Sequence, residues 1–235
     1  MIRAIVMLGF WAIALPIAAL ITVPWALITG NVKPLYRIGM WGALTGVRLA
    51  GVRVKMIGRE NLDPHATYIF MANHASNIDP PLLLPIIPGR SSVMARHELF
   101  NYPILGRAMR IASLVPVNRG NREAGIAAVR AAEQVVHQGI HMTIFVEGGR
   151  SFDGKLLPFK KGPFYLAETC QVPVVPVTIS GTHDVMPKGR FAVKGGEVVV
   201  TFHDPIPISE FGNREELMEK VRAVINSGLP EQYRS

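Results

Sequence analysis

Thr67-Tyr68-Ile69-Phe70-Met71-Ala72-Asn73-His74-Ala75-Ser76-Asn77-Ile78-Asp79-Pro80 opens as an apolar, β-rich run and closes on turn residues and an Asp-Pro pair. Thr67–Met71 reads as a strand, and Asp79-Pro80 as a helix start with Asp at the N-cap and Pro at the first helical position. A strand passing through a polar turn towards a helix is the building unit of an α/β sheet, and sites in such sheets gather at strand ends. His74 lies in that turn. Its ordinary pKa of about 6.5 lets it stand neutral at cytoplasmic pH and accept a proton from a hydroxyl, provided something orients the ring. Asp79, five residues on, can hydrogen-bond one ring nitrogen, fix the tautomer and stabilise the imidazolium. Capping and orienting are both open roles for Asp79. Ser76 reads as a turn residue satisfying backbone amides, because a serine two residues from its base struggles to aim its oxygen there.

Working outward, Val52–Ile57, Ser92–Ala95, Met142–Val146, Val174–Ile179 and Val198–Phe202 also read as strands. The prolines of Val172-Pro173-Val174-Val175-Pro176-Val177 favour an edge or a strand start over the sheet centre. Asn121 opens an alanine-rich helical stretch closed by Gly139, with Ile126, Val129 and Val136 at helical spacing, and Phe164–Cys170 reads as a helix. Asn213 with Glu216 resembles a capping box, followed by Leu217, Val221, Val224 and Ile225 on one face. Nothing repeats internally. The expected organisation is a membrane-binding helical segment over residues 1–51 and one catalytic-type α/β domain over 52–235.

The lead-in is distinctive. From Ala4 to Val32 no residue is charged, a run longer than the roughly 20 residues that cross a bilayer as a helix. Pro16 and Pro24 each remove a helical hydrogen bond, so the run reads as one kinked span or as a hairpin dipping into a single leaflet. Residues 33–51 suit a helix lying along the headgroups, or alternatively a core helix, although Gly39, Gly42 and Gly46 inside it weaken any helix there. Of the chain's net charge of +8, six units fall within residues 1–60, where seven basic residues face one acid. Basic residues flanking the most apolar segment point to an anionic membrane surface and away from nucleic acid. Their excess after the run places the rest of the chain in the cytoplasm. The lone Cys170 excludes an internal disulfide and reads as a small apolar filler.

A second constellation, Phe145-Val146-Glu147-Gly148-Gly149-Arg150-Ser151, again follows an apolar run, with Leu156-Leu157-Pro158-Phe159-Lys160-Lys161-Gly162 behind it. Paired glycines let backbone amides approach a ligand, and Arg150 offers a planar fork for a phosphate. A polar turn is the plain alternative, and Lys160 and Lys161 equally suit a solvated face. Pro116-Val117-Asn118-Arg119 adds a further arginine after an apolar stretch.

Taken in order, Asn73-His74-x-Ser76-x-x-Asp79, Pro116-Val117-Asn118-Arg119, Phe145-x-Glu147-Gly148-x-Arg150-Ser151 and Val172–Val177 resemble the four-block pattern of the 1-acyl-glycerol-3-phosphate acyltransferases, over roughly residues 55–205. The resemblance implies an α/β fold with a central mixed sheet flanked by helices. It implies acyl transfer from an acyl thioester, acyl-CoA or acyl-carrier protein, to the free sn-2 hydroxyl of lysophosphatidate, with no cofactor and no metal. By position it makes His74 the base and Asp79 its partner, gives the acceptor head to Arg119, Glu147, Gly148 and Arg150, and leaves Asn73 and Ser76 supporting the first block. The implied partners are the lysophospholipid, the thioester donor and membrane lipids, at the cytoplasmic face of the inner membrane. The third block departs from the family's common Phe-Pro-Glu-Gly-Thr-Arg, with Val146 for the proline and Gly149 for the threonine, which bears on the acceptor more than on the reaction. Competing readings are another lysolipid acceptor, a metal-dependent phosphoesterase using His74, Asp79 and Glu147 as ligands, and a non-catalytic membrane module. The phosphoesterase is disfavoured because no His/Asp pair recurs with ligand spacing.

Overall fold

Four residues of the quoted run, Ile69–Ala72, form the fully buried strand β2 near the middle of a seven-stranded sheet. The structure, a computed structural model, describes residues 1–118 and 122–235. Successive side chains of β2 enter opposite cores, as the period of a strand requires. Phe70 and Ala72 face one core, while Ile69 and Met71 face the other. The helices α1 (Ile2–Thr29), α2 (Lys33–Leu49) and α3 (Asp79–Leu83) contribute to the first side. The second side is filled by α5 (Arg122–His137), α6 (Lys161–Cys170) and α8 (Arg214–Ser227). Asn213 caps α8, its side chain accepting from Glu216 N at 2.9 Å, while the Glu216 carboxylate reaches back one residue further, to Gly212 N at 3.2 Å, and to the Asn213 side chain at 2.7 Å. The proposed opening of α5 at Asn121 lies outside the described residues.

The remaining strands are β1 (Val52–Ile57), β3 (Ser91–Arg96), β4 (Val115–Val117), β5 (His141–Phe145), β6 (Val174–Ser180) and β7 (Gly196–Phe202), in the order β1-β7-β6-β2-β5-β3-β4. Neighbours are parallel except β6 and β7, so the sheet is mixed. The short edge strand β4 has no counterpart in the expected strands, because three residues with a central proline carry too little pattern to announce one. The prolines split the expectation: Pro173 stands just before the first residue of β6, as a strand start allows, but the edge reading is corrected, because β6 is a buried interior strand. Its Val174 exchanges both backbone bonds with Ile206, and Val177 pairs with Phe202, so residues 203–205 stand opposite only Val175 and Pro176. The imino nitrogen of Pro176 therefore faces a bulge, while its carbonyl accepts from His203 N at 3.0 Å, and no ladder donor is lost.

The apolar run forms one continuous helix, α1, with Pro16 and Pro24 inside it, and the chain reverses at Gly30, whose φ of 69° is left-handed. The hairpin is thus α1 against α2. Glycine explains the fit: a Cβ on Gly46 would overlap the Trp11 indole, whose Nε1 donates to Gly42 O at 3.2 Å. The glycines that weaken α2 as a helix let α1 approach it closely. Tyr36 on α2 docks the pair, its hydroxyl accepting from Ser91 N at 2.9 Å and donating to Ser91 O. Ala4, Met7, Val47 and Ala50 share a core with β1 and β2. Further along, Ala19 and Val23 pack with Leu35 against α4 (Pro103–Ile111).

Candidate active site

β2, β5 and β6 run parallel, β2 and β5 end side by side while β6 runs on to Ser180, and the chain leaving β2 and β5 builds the site against it. Asn73, directly after β2, clamps the end of β6, accepting from Ile179 N at 2.7 Å and donating to Ile179 O at 2.9 Å. His74 follows, stacked on Phe145 at the end of β5 with centroids 4.3 Å apart. The turn then folds back on itself. Asp79 does not cap α3; its Oδ2 accepts from His74 Nδ1 at 2.8 Å and from the amides of Ala75 and Ser76, each at 2.8 Å. A carboxylate is only an acceptor, so the proton resides on Nδ1 and Nε2 keeps its lone pair. Asp79 is wholly buried and the His74 side chain is 9% exposed. The pair is thus rigid and sheltered, with the basic nitrogen as the ring's remaining polar atom. Ser76 is fully buried and its Oγ donates to Met186 O at 2.7 Å, tying this turn to the segment after β6. It acts as a turn residue.

Glu147 corrects an expectation. Assigned by resemblance to the acceptor head, it is 3% exposed, with Oε1 accepting from His74 N and Oε2 from Leu157 N, each at 2.7 Å. It binds the backbone of His74 to the loop behind the glycines. Burial, with a smaller push from Asp79, raises its pKa to about 7 against the lowering effect of those two amides and Arg222. Gly148 adopts φ 67°, which the turn out of β5 requires, and a Cβ there would press on the Lys160 stem. Arg150 is half-buried beyond it. The peptide joining Arg150 to Ser151 donates its N–H to His74 O at 3.0 Å and accepts through its C=O from Lys188 Nζ at 2.8 Å.

Lys188 escaped the sequence reading. The signal for it is a basic turn, Met186-Pro187-Lys188-Gly189-Arg190, which follows β6 after the short helix α7 (Thr182–Val185). Arg119 lies outside the described residues. Lys161 pairs with Glu215 at 3.2 Å on the surface, as a solvated face would. Burial, aided by Glu133, lifts the Cys170 thiol to about 11, leaving it inert at neutral pH. Among the described residues no three His, Cys, Asp or Glu side chains converge as a metal site needs.

Residues 53–180 match the family described as Acyltransferase. The chain is 32% identical over 196 residues to the 1-acyl-sn-glycerol-3-phosphate acyltransferase of Limnanthes douglasii, covering 83% of this chain and 68% of that protein. It is 31% identical over 224 residues to the enzyme of that name from Cocos nucifera, covering 92% and 70%. The fold is similar to the crystal structure of the 1-acyl-sn-glycerophosphate (LPA) acyltransferase PlsC from Thermotoga maritima, with a TM-score of 0.83, 26% identity, and coverage of 97% of this chain and 93% of that one. Sequence kinship across most of the chain and a shared mixed-sheet fold agree: this protein belongs to the 1-acyl-sn-glycerol-3-phosphate acyltransferase family and is an acyltransferase.

Proposed function

We propose that the enzyme moves an acyl chain from an acyl thioester, acyl-CoA or acyl-carrier protein, to the free sn-2 hydroxyl of lysophosphatidate, giving phosphatidate. The observation that carries this reading is the 2.8 Å contact between His74 Nδ1 and an Asp79 oxygen already held by two amides. Nε2 takes the hydroxyl proton as the oxygen attacks the thioester carbonyl. The tetrahedral oxyanion collapses, the C–S bond breaks, and the imidazolium returns its proton to the departing thiolate. Asp79 balances the positive ring throughout. A thiolate is a good leaving group, so the reaction requires neither a metal nor an acyl-enzyme. Arg150 binds the acceptor phosphate, with Arg119 assigned beside it by resemblance.

Both acceptor and product carry long chains and reside in the bilayer, which gives α1 its purpose. Its buried stripe packs on α2 and α4, while Ile13, Ile17, Leu20, Ile21, Leu27 and Ile28 are exposed. An apolar helix docked along its length on the domain suits embedding of the α1–α2 hairpin in one leaflet, the cytoplasmic leaflet of the inner membrane, with Lys33, Arg37 and Arg48 at the anionic headgroups.

The test is acylation by the purified full chain in lipid bicelles, with a panel of lysolipids and both donor types, with and without a chelator. His74→Ala is expected to lower kcat at least about 100-fold, the scale of a lost general base, with a cooperative unfolding transition retained. Acylation undiminished in that variant would sink the mechanism, and preference for another lysolipid would move the acceptor.

A further inference from the structure

We propose that Lys188 is a specificity-determining cation of the acceptor site, the second positive charge that lets the enzyme hold a phosphate monoester dianion in preference to a phosphodiester. The proposal rests on the reading of the acceptor as lysophosphatidate.

The placement is built from both sides. Two residues before Lys188, the carbonyl of Met186 accepts from the Ser76 hydroxyl in the His74–Asp79 turn at 2.7 Å. Lys188 itself donates to the Arg150 carbonyl at 2.8 Å, and the amide of that same peptide unit donates to the His74 carbonyl. One peptide plane therefore has the base-bearing residue on one edge and the Lys188 ammonium on the other. The ammonium also sits 3.6 Å from the centroid of the Phe152 ring, so its position is fixed by a hydrogen bond and a ring face.

Neither contact neutralises it. A carbonyl and an aromatic ring favour a cation without supplying a negative charge, and among the described residues neither Lys188 nor Arg150 has a carboxylate within ion-pair distance. Of three ammonium donors, one is used. The ammonium is held on the backbone of Arg150, so the two side chains leave neighbouring points of the chain beside His74, and an anion bound between them meets both charges. The anion that the reaction brings to this place is the acceptor phosphate. A monoester approaches two negative charges at neutral pH, whereas a diester headgroup carries one, so a two-cation cradle attracts the monoester more strongly.

Steady-state acylation by the full chain in bicelles, with lysophosphatidate and with lysophosphatidylglycerol, tests this in wild type, Lys188→Gln and Lys188→Arg. Glutamine keeps a donor for the Arg150 carbonyl and removes the charge. It is expected to raise KM for lysophosphatidate roughly 10- to 100-fold, the scale of a lost charge-assisted bond. The loss should fall on KM rather than kcat, change KM for the diester several-fold less, and be largely restored by arginine. Equal KM increases for both acceptors, or a Gln variant matching wild type, would overturn the assignment and leave Lys188 as a mere pin for the 150–151 peptide. A wild type that acylates only diester lysolipids would overturn the acceptor reading itself, and this inference with it.

Discussion

An oxygen that accepts from two amides before it meets an imidazole, as Asp79 Oδ2 does, needs no rearrangement when the ring becomes charged. That arrangement is local, spanning six residues of one turn, and is legible in the order His74-x-x-x-x-Asp79. Glu147 is different, because its partners His74 and Leu157 lie on other segments and its residue type alone points equally to a ligand or to a backbone clamp. Its raised pKa has a thermodynamic consequence. The folded state retains a proton that the unfolded chain gives up, so the contribution to stability is fully present below the ordinary value near 4.5 and is lost as pH rises to about 7. The loss is on the order of 3 kcal/mol. Glu147→Gln cannot titrate, so the stability of this variant minus that of wild type should rise across this window and level off above it. Thermal denaturation of both proteins from pH 4.5 to 8 checks this, and a flat difference would show that the carboxyl does not titrate there. The variant also sets an amide NH2 against a backbone N–H, and kcat is expected to fall several-fold as His74 loses its anchor.

At the scale of elements, strands and helices were largely readable, and the misreadings share one cause. Pro176 signals an edge only if every backbone nitrogen of a central strand must donate, and a bulge in the partner relaxes that requirement at one position. The glycines of α2 lower helix propensity in isolation, and their compensation lies in Trp11 on another helix. Gly46→Val therefore tests the hairpin directly. The added side chain must displace the indole, with an expected cost of about 1–3 kcal/mol and a Tm lower by about 3–10 °C in bicelles. Gly39→Val is its control, since a Cβ at Gly39 meets nothing within 4 Å. Equal shifts in the two variants would mean that helix propensity, not the α1–α2 contact, is being measured.

The whole molecule couples its long apolar helix α1 to its core. Met7 is 1% exposed and shares a cluster with Val52, Phe70 and Val200, so α1 is a structural part of the domain as well as an apolar surface. Removal of residues 1–31 is accordingly expected to lower the Tm by roughly 10 °C or more, because buried side chains leave a cavity. An unchanged Tm would show α1 to be a detachable anchor. The full chain on vesicles should resist release by high salt and yield to detergent, since its exposed helix face is apolar and basic residues only flank it.

What the amino-acid order determined unaided is everything encoded within a few residues: the strand-turn-helix unit, the His74–Asp79 spacing, the cap of α8, and an uncharged run too apolar for ordinary solvent exposure. Only the tertiary structure decided which strands are neighbours, that β1 and β7 run against the rest, that Glu147 turns inward and that Lys188 reaches the Arg150 carbonyl. Propensity, capping and turn chemistry depend on adjacent residues and are written locally. Pairing, burial and charge proximity depend on segments tens of residues apart, and no single segment records which distant partner it will meet.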